Sequence, residues 1–192
     1  MMQVGEFKVR ISGTACGTAS DVKMVIEAES EKGFKGLIEL ITLKFPPMKV
    51  RYSKASKSVT LRAFDRIIGI SESGKVYFEA ESLDEARDIL EYLQGMIDDA
   101  RKDLERGVKP DSRVLDAWGK LQPLELYKYL PKTNCRECGE ETCLAFAARV
   151  LTGERRLDEC KPLSRPEGIP MISKLIETYG ETAVKSLGFK IG

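Results

Sequence analysis

The sequence predicts an α+β chain in two parts: an antiparallel sheet with packed helices, then a smaller region of short helices and loops. Three observations carry this. Short alternating or continuous apolar runs fill residues 7–81, and a long amphipathic helix follows them. Beyond it the pattern breaks into short helical stretches around four closely spaced cysteines. With 192 residues, 42% hydrophobic and 32% charged, the chain has room for one ordinary domain and a smaller one.

The elements follow in order. Phe7–Ile11 and Val22–Ala28 read as strands, separated by the small, turn-prone stretch Ser12–Ser20. Phe34, Leu37, Ile38, Ile41 and Phe45 recur at helical spacing until Pro46-Pro47 stops them. Lys49–Ser53, Ser58–Ala63, Arg66–Ser71 and Lys75–Ala80 are four further strands, the last two joined at Ser73-Gly74. Ser82-Leu-Asp-Glu85 is a capping box, and Leu83, Ala86, Leu90, Leu93, Ile97, Ala100 and Leu104 form one stripe to bury on a sheet. Gly107 ends that helix.

The order strand, helix, strands, helix resembles one half of the TATA-box-binding protein fold over residues 20–100, best from Arg66 to Leu93. The resemblance implies a curved antiparallel sheet backed by helices. It does not carry DNA binding with it, because a fold does not specify a function.

Residues 1–106 are thus expected to form the sheet domain, 107–121 a linker, 122–163 the cysteine domain and 164–192 a helical tail. Trp118 is expected to pack between the domains. Leu121–Pro131 is a short helix entering the cysteine loop, and Thr142–Leu151 a second, with Leu144, Ala147, Ala148 and Leu151 on one face. Met171–Tyr179 and Glu181–Leu187 are helical patterns in the tail.

Composition excludes several classes. A net charge of +1 gives no global drive toward nucleic acid or anionic membrane. No apolar run approaches a membrane span, and the N-terminus lacks signal-peptide segments, so a cytoplasmic protein is expected. The chain has no histidine, which removes Ser-His and Cys-His nucleophilic pairs and mixed Cys/His zinc fingers. No paired acid–base constellation stands out, so the chain reads as an electron-transfer or accessory protein rather than an enzyme. Cys16 is expected to be a small buried residue in a turn, and Gly13–Gly17 lacks the ending of a phosphate loop. Arg51, Lys54, Lys57 and Arg62, with Tyr52 and Phe64, suit either a nucleic-acid face or a solvated, lysine-guarded edge; the edge is the expected reading.

Cys135, Cys138, Cys143 and Cys160 read Cys-x2-Cys-x4-Cys-x16-Cys. In a reducing compartment such clustering points to metal rather than disulfides. Zinc thiolates usually come as two tight pairs, and here only Cys135 and Cys138 form one. A redox pair at Cys135 and Cys138 leaves the other two thiols unexplained. Three cysteines in one loop with a distant fourth suit an iron–sulfur cluster better, with zinc as the alternative. Gly139 is expected to let the loop fold closely and aim amides at the sulfurs. Cys143, at a helix start, sits where a thiolate is favoured.

Leu124–Cys135, Glu137-Cys-Gly139, Thr142–Ala147 and Cys160 closely resemble a four-cysteine iron–sulfur domain. That domain occurs in the large subunit of the corrinoid iron–sulfur protein and in the B subunit of Rnf-type complexes. The resemblance covers about residues 122–163 and implies that Cys135, Cys138, Cys143 and Cys160 ligate one [4Fe–4S] cluster. Two departures add positive charge: Arg136 stands where glycine is common, and Lys161 separates Cys160 from Pro162. The corrinoid subunit's barrel and the Rnf subunit's further ferredoxin motifs have no counterpart here. The expected function is one-electron transfer to a redox partner protein, or reductive activation of one, such as a corrinoid or methyl-transfer protein. Arg136, Lys132 and Lys161 would steer an acidic partner. The competing reading is a nucleic-acid-binding module with a structural metal site; nucleic acid is not the expected partner.

Overall fold

A computed structural model describes residues 2–15, 23–110 and 112–191. Cys16 and Val22 lie outside the described residues. Seven strands, β1 (Met2–Val4), β2 (Phe7–Ala15), β3 (Lys23–Ser30), β4 (Val50–Ser53), β5 (Ser58–Ala63), β6 (Arg66–Ser71) and β7 (Lys75–Ala80), make one sheet. Its order is β1-β2-β3-β7-β6-β5-β4, and the resolved pairings are antiparallel. Period-2 patterning sets which face is buried. Phe7, Val9, Ile26, Ala28, Leu61, Ile68, Val76 and Phe78 point into the core, while Lys8, Arg10, Lys75 and Tyr77 stay on the other side.

Helix α1 (Ile38–Leu43) and helix α2 (Leu83–Glu105) are the helices of this half. The Ser82 hydroxyl accepts the Glu85 amide at 3.1 Å, and the Glu85 carboxylate reaches back to the amide of Glu81, one residue before the expected position. Ala86, Ile89, Leu90, Leu93, Ile97 and Ala100 are its buried stripe. Each fully buried leucine there stabilises the fold by roughly 1.5–3 kcal/mol. Leu83 and Leu104, at the stripe's two ends, remain exposed.

Glu6, in the β1–β2 turn, ties that turn to α2. Its carboxylate accepts both Arg101 guanidinium nitrogens at 2.7 and 2.6 Å and the Ser30 hydroxyl at 2.9 Å. Burial alone would raise the Glu6 carboxyl, but Arg101 and Ser30 together hold it below the usual carboxylate value. At the β6–β7 turn, Gly74 takes φ +97°, and a Cβ there would meet the Ser30 carbonyl at 2.3 Å. Only glycine fits.

The chain divides into two compact units, residues 1–41 with 51–109, and residues 42–50 with 110–192. In the second unit, α3 spans Ser112–Gly119. Trp118 is fully buried inside this unit, its indole N–H donating to the Phe45 carbonyl at 3.1 Å and its ring edge-on to Tyr179. Helices α4 (Pro123–Tyr127), α5 (Cys143–Leu151), α6 (Ile169–Tyr179) and α7 (Glu181–Ser186) complete it. Burial pushes the Tyr179 hydroxyl up to about 12, with Tyr129 and Glu125 adding to it. Among the described residues no helix is long and apolar enough to cross a membrane.

Candidate metal centre

The loop from Pro131 to Thr142 joins α4 to α5, and its backbone alternates in handedness. Lys132, Asn134 and Arg136 take positive φ values of +62°, +49° and +62°, and Gly139 follows at +86°. Asn134 tolerates this conformation well and uses it: its side-chain oxygen accepts the Cys143 amide at 2.8 Å. The Thr142 hydroxyl caps the next free amide, that of Ala145, at 3.0 Å. Cys143 therefore opens α5, as its spacing predicts.

The buried face of α5 is Cys143, Phe146, Ala147, Val150 and Leu151. This corrects the expected face, because Leu144 is exposed and Phe146 takes the inward position. The Gly139 amide is also not aimed at a sulfur, for it donates to the Arg136 carbonyl at 3.0 Å and closes a turn.

Cys160 follows a 3₁₀ turn, Leu157–Glu159, whose first amide donates to the Leu187 carbonyl at 2.7 Å. The tail beyond residue 164 thus braces the segment that carries the fourth thiol. Two charged clamps join that segment to the loop. Glu140 accepts Arg149 Nε at 3.2 Å and Arg155 Nε at 3.0 Å, and Arg155 also donates to Glu159 at 3.1 Å. Arg165 meets Glu137 at 2.7 Å. The guanidinium of Arg155 lies so near Gly139 that a Cβ there would sit 3.3 Å from its Nη2.

All four thiols line one small pocket, together with Glu140, Phe146 and Pro162. They are free cysteines of unequal access: Cys135 is exposed, Cys138 half-buried, and Cys143 and Cys160 only 8% and 5% exposed. Burial, reinforced by the three neighbouring thiols and opposed by the Leu163 amide, pushes the Cys160 thiol up to about 11. Among the described residues no group of three or more Cys, Asp or Glu is placed to hold a single ion.

Residues 130–162 match the model of a family described as "Putative Fe-S cluster". The cysteine segment carries an iron–sulfur family's signature. Over 41 residues it is 56% identical to the acetyl-CoA decarbonylase/synthase complex subunit gamma 1 of Methanosarcina thermophila, covering 21% of this chain and 9% of that one. The gamma subunit of Archaeoglobus fulgidus is 50% identical over 56 residues, 29% of this chain and 12% of its own. The corrinoid/iron-sulfur protein large subunit of Moorella thermoacetica is 43% identical over 72 residues, 34% of this chain and 16% of its own. The chain thus spans only a small part of the length of these relatives. No solved structure matches it.

Arg51 is exposed on β4, the last strand of the sheet, and Lys57 pairs with Glu72 at 3.1 Å. The Tyr52 hydroxyl donates to Glu39 at 2.9 Å, and Phe64 packs edge-on against Tyr92. An exposed cation on an end strand is one way in which a sheet edge is guarded. The residues that sequence reasoning missed are the clamps, Glu140, Arg149, Arg155 and Glu159. Their i, i+4 spacing at Arg155 and Glu159 was a signal, but the reach from Glu140 to Arg155 was not.

Proposed function

We propose that this chain holds one [4Fe–4S] cluster through Cys135, Cys138, Cys143 and Cys160 and passes single electrons to or from a partner protein. The observation that carries the reading is one pocket lined by all four thiols, inside the segment that matches an iron–sulfur family. Three cysteines in one loop with a distant fourth suit a cluster, whose irons spread over several ångströms, better than one zinc ion. When bound, the cluster supplies a site that gains and loses one electron.

The chain's own residues provide the setting. Cys143 and Cys160 anchor the buried side, and Cys135 and Cys138 face outward. Phe146 and Pro162 exclude water from part of the pocket, and the Glu140–Arg155 and Glu137–Arg165 clamps hold the loop to the Cys160 segment. The relatives that carry such segments are a corrinoid/iron-sulfur protein large subunit and subunits of an acetyl-CoA decarbonylase/synthase complex. A corrinoid or methyl-transfer protein is accordingly the proposed class of electron acceptor. Protein purified without oxygen should be brown and contain about four irons and four sulfides per chain. Stoichiometric zinc without sulfide would refute the cluster and leave a structural metal site.

A further inference from the structure

Three features meet in the loop around Cys135: left-handed backbone at two cations, side chains there without an ion pair among the described residues, and an exposed thiol between them. Lys132 and Arg136 both hold left-handed backbone, at φ +62° each. For residues other than glycine, asparagine or aspartate this conformation costs on the order of 1 kcal/mol apiece. Asn134, between them, bonds the Cys143 amide through its side chain, and Arg136 accepts the Gly139 amide at its carbonyl and lines the thiol pocket, whereas Lys132 makes no such bond within the loop. Both side chains are exposed, and neither forms an ion pair with a described residue. The Lys132 ammonium rests over the Tyr127 ring, 5.5 Å from its centroid, which orients it without neutralising it. Between the two cations sits Cys135, the most exposed of the four thiols.

The neighbouring carboxylates do not cancel this charge. Glu137 is paired with Arg165, and Glu140 with Arg149 and Arg155. Glu141 is the one carboxylate of the loop without such a pair among the described residues. Backbone strain kept at an exposed, functional loop points to a use outside the fold.

We infer that Lys132 and Arg136 form a docking face for an acidic one-electron carrier protein, with Cys135 as the point of electron entry. The inference rests on the cluster reading above. An acidic carrier fits because two unpaired cations flank the thiol nearest the surface, and opposite charge speeds encounter while setting orientation. In the transfer itself one electron leaves the reduced carrier and enters the cluster; no bond is made or broken.

The test uses the full-length, cluster-loaded chain and a chemically reduced acidic flavodoxin as the probe. In stopped flow, the second-order rate at low salt should fall about tenfold in a Lys132→Gln/Arg136→Gln double variant. The difference should vanish near 0.5 M salt, where screening is short-ranged. Lys174→Gln, an exposed lysine of α6, should behave as wild type. The midpoint potential of each variant is measured, so that a changed driving force is not read as changed docking. Fluorescence anisotropy with a labelled flavodoxin reads the same docking without needing the cluster. Iron and sulfide are assayed on the same samples: their absence counts against the cluster, whereas a loaded double variant that binds and reacts like wild type overturns the docking face alone. A short DNA duplex that binds Lys132 and Arg136 more tightly than the flavodoxin and displaces it would also overturn the proposal.

Discussion

Arg136 combines two effects that one substitution separates. Its positive φ disfavours any side chain, and its charge stands between two of the proposed ligands. Arg136→Gly should therefore ease the loop while lowering the reduction potential, since a lost positive charge disfavours the added electron. One exposed charge nearby is worth about 1 kcal/mol, or about 40 mV for one electron. Redox titration followed in the visible spectrum measures it, and an unchanged or higher potential would contradict the argument. Glu6 offers a second test, on stability. Its carboxyl is held below its usual 4.5, so the stability it contributes is present above pH 4.5 and lost as pH falls through the lower folded value. Glu6→Gln should cost about 1–3 kcal/mol at pH 7, where Arg101 keeps only Asp98 as a charged partner, and should flatten the loss of stability in acid. Urea midpoints across pH 3–7 check both parts.

At the scale of the element, α2 rests on its cap as well as its stripe. Ser82→Ala removes the acceptor for the Glu85 amide and should cost about 1 kcal/mol with no change in the urea m-value. A changed m-value would mean that the cap also shapes the unfolded chain. The cap was legible because a capping box is local, and so were strands β4 to β7, where alternation and turn residues agree. Strand β1 was not: Met2–Val4 is three residues long and is a strand only because β2 pairs with it. The face of α5 was misread for a related reason. Leu144 and Phe146 are both apolar, and choosing between them requires knowing that Cys143 itself points inward. The four thiols were legible from spacing, while the clamps that join Glu140 to Arg149 and Arg155 depend on tertiary folding.

For the whole molecule, the two units do not follow the chain in sequence. Residues 42–50 cluster with 110–192, although 1–41 and 51–109 surround them. We propose that residues 1–109 fold cooperatively without metal and leave 42–50 uncovered. Phe45→Ser should accordingly have little effect on that fragment's thermal midpoint. The same substitution in the full chain should destabilise the second unit by about 3 kcal/mol, because Phe45 is 7% exposed there. Differential scanning calorimetry on the four proteins decides it. Equal effects in fragment and full chain would place Phe45 in the first unit.

The same interrupted arrangement bears on how the protein is made. Thr42–Val50 leaves the ribosome well before residues 110–192, the part of the chain it clusters with. At about 5–20 residues per second, the intervening stretch takes several seconds to synthesise. During that interval Phe45 and its apolar neighbours lack the residues with which they cluster. Their exposure ends only once α3 has been made and Trp118 can reach the Phe45 carbonyl.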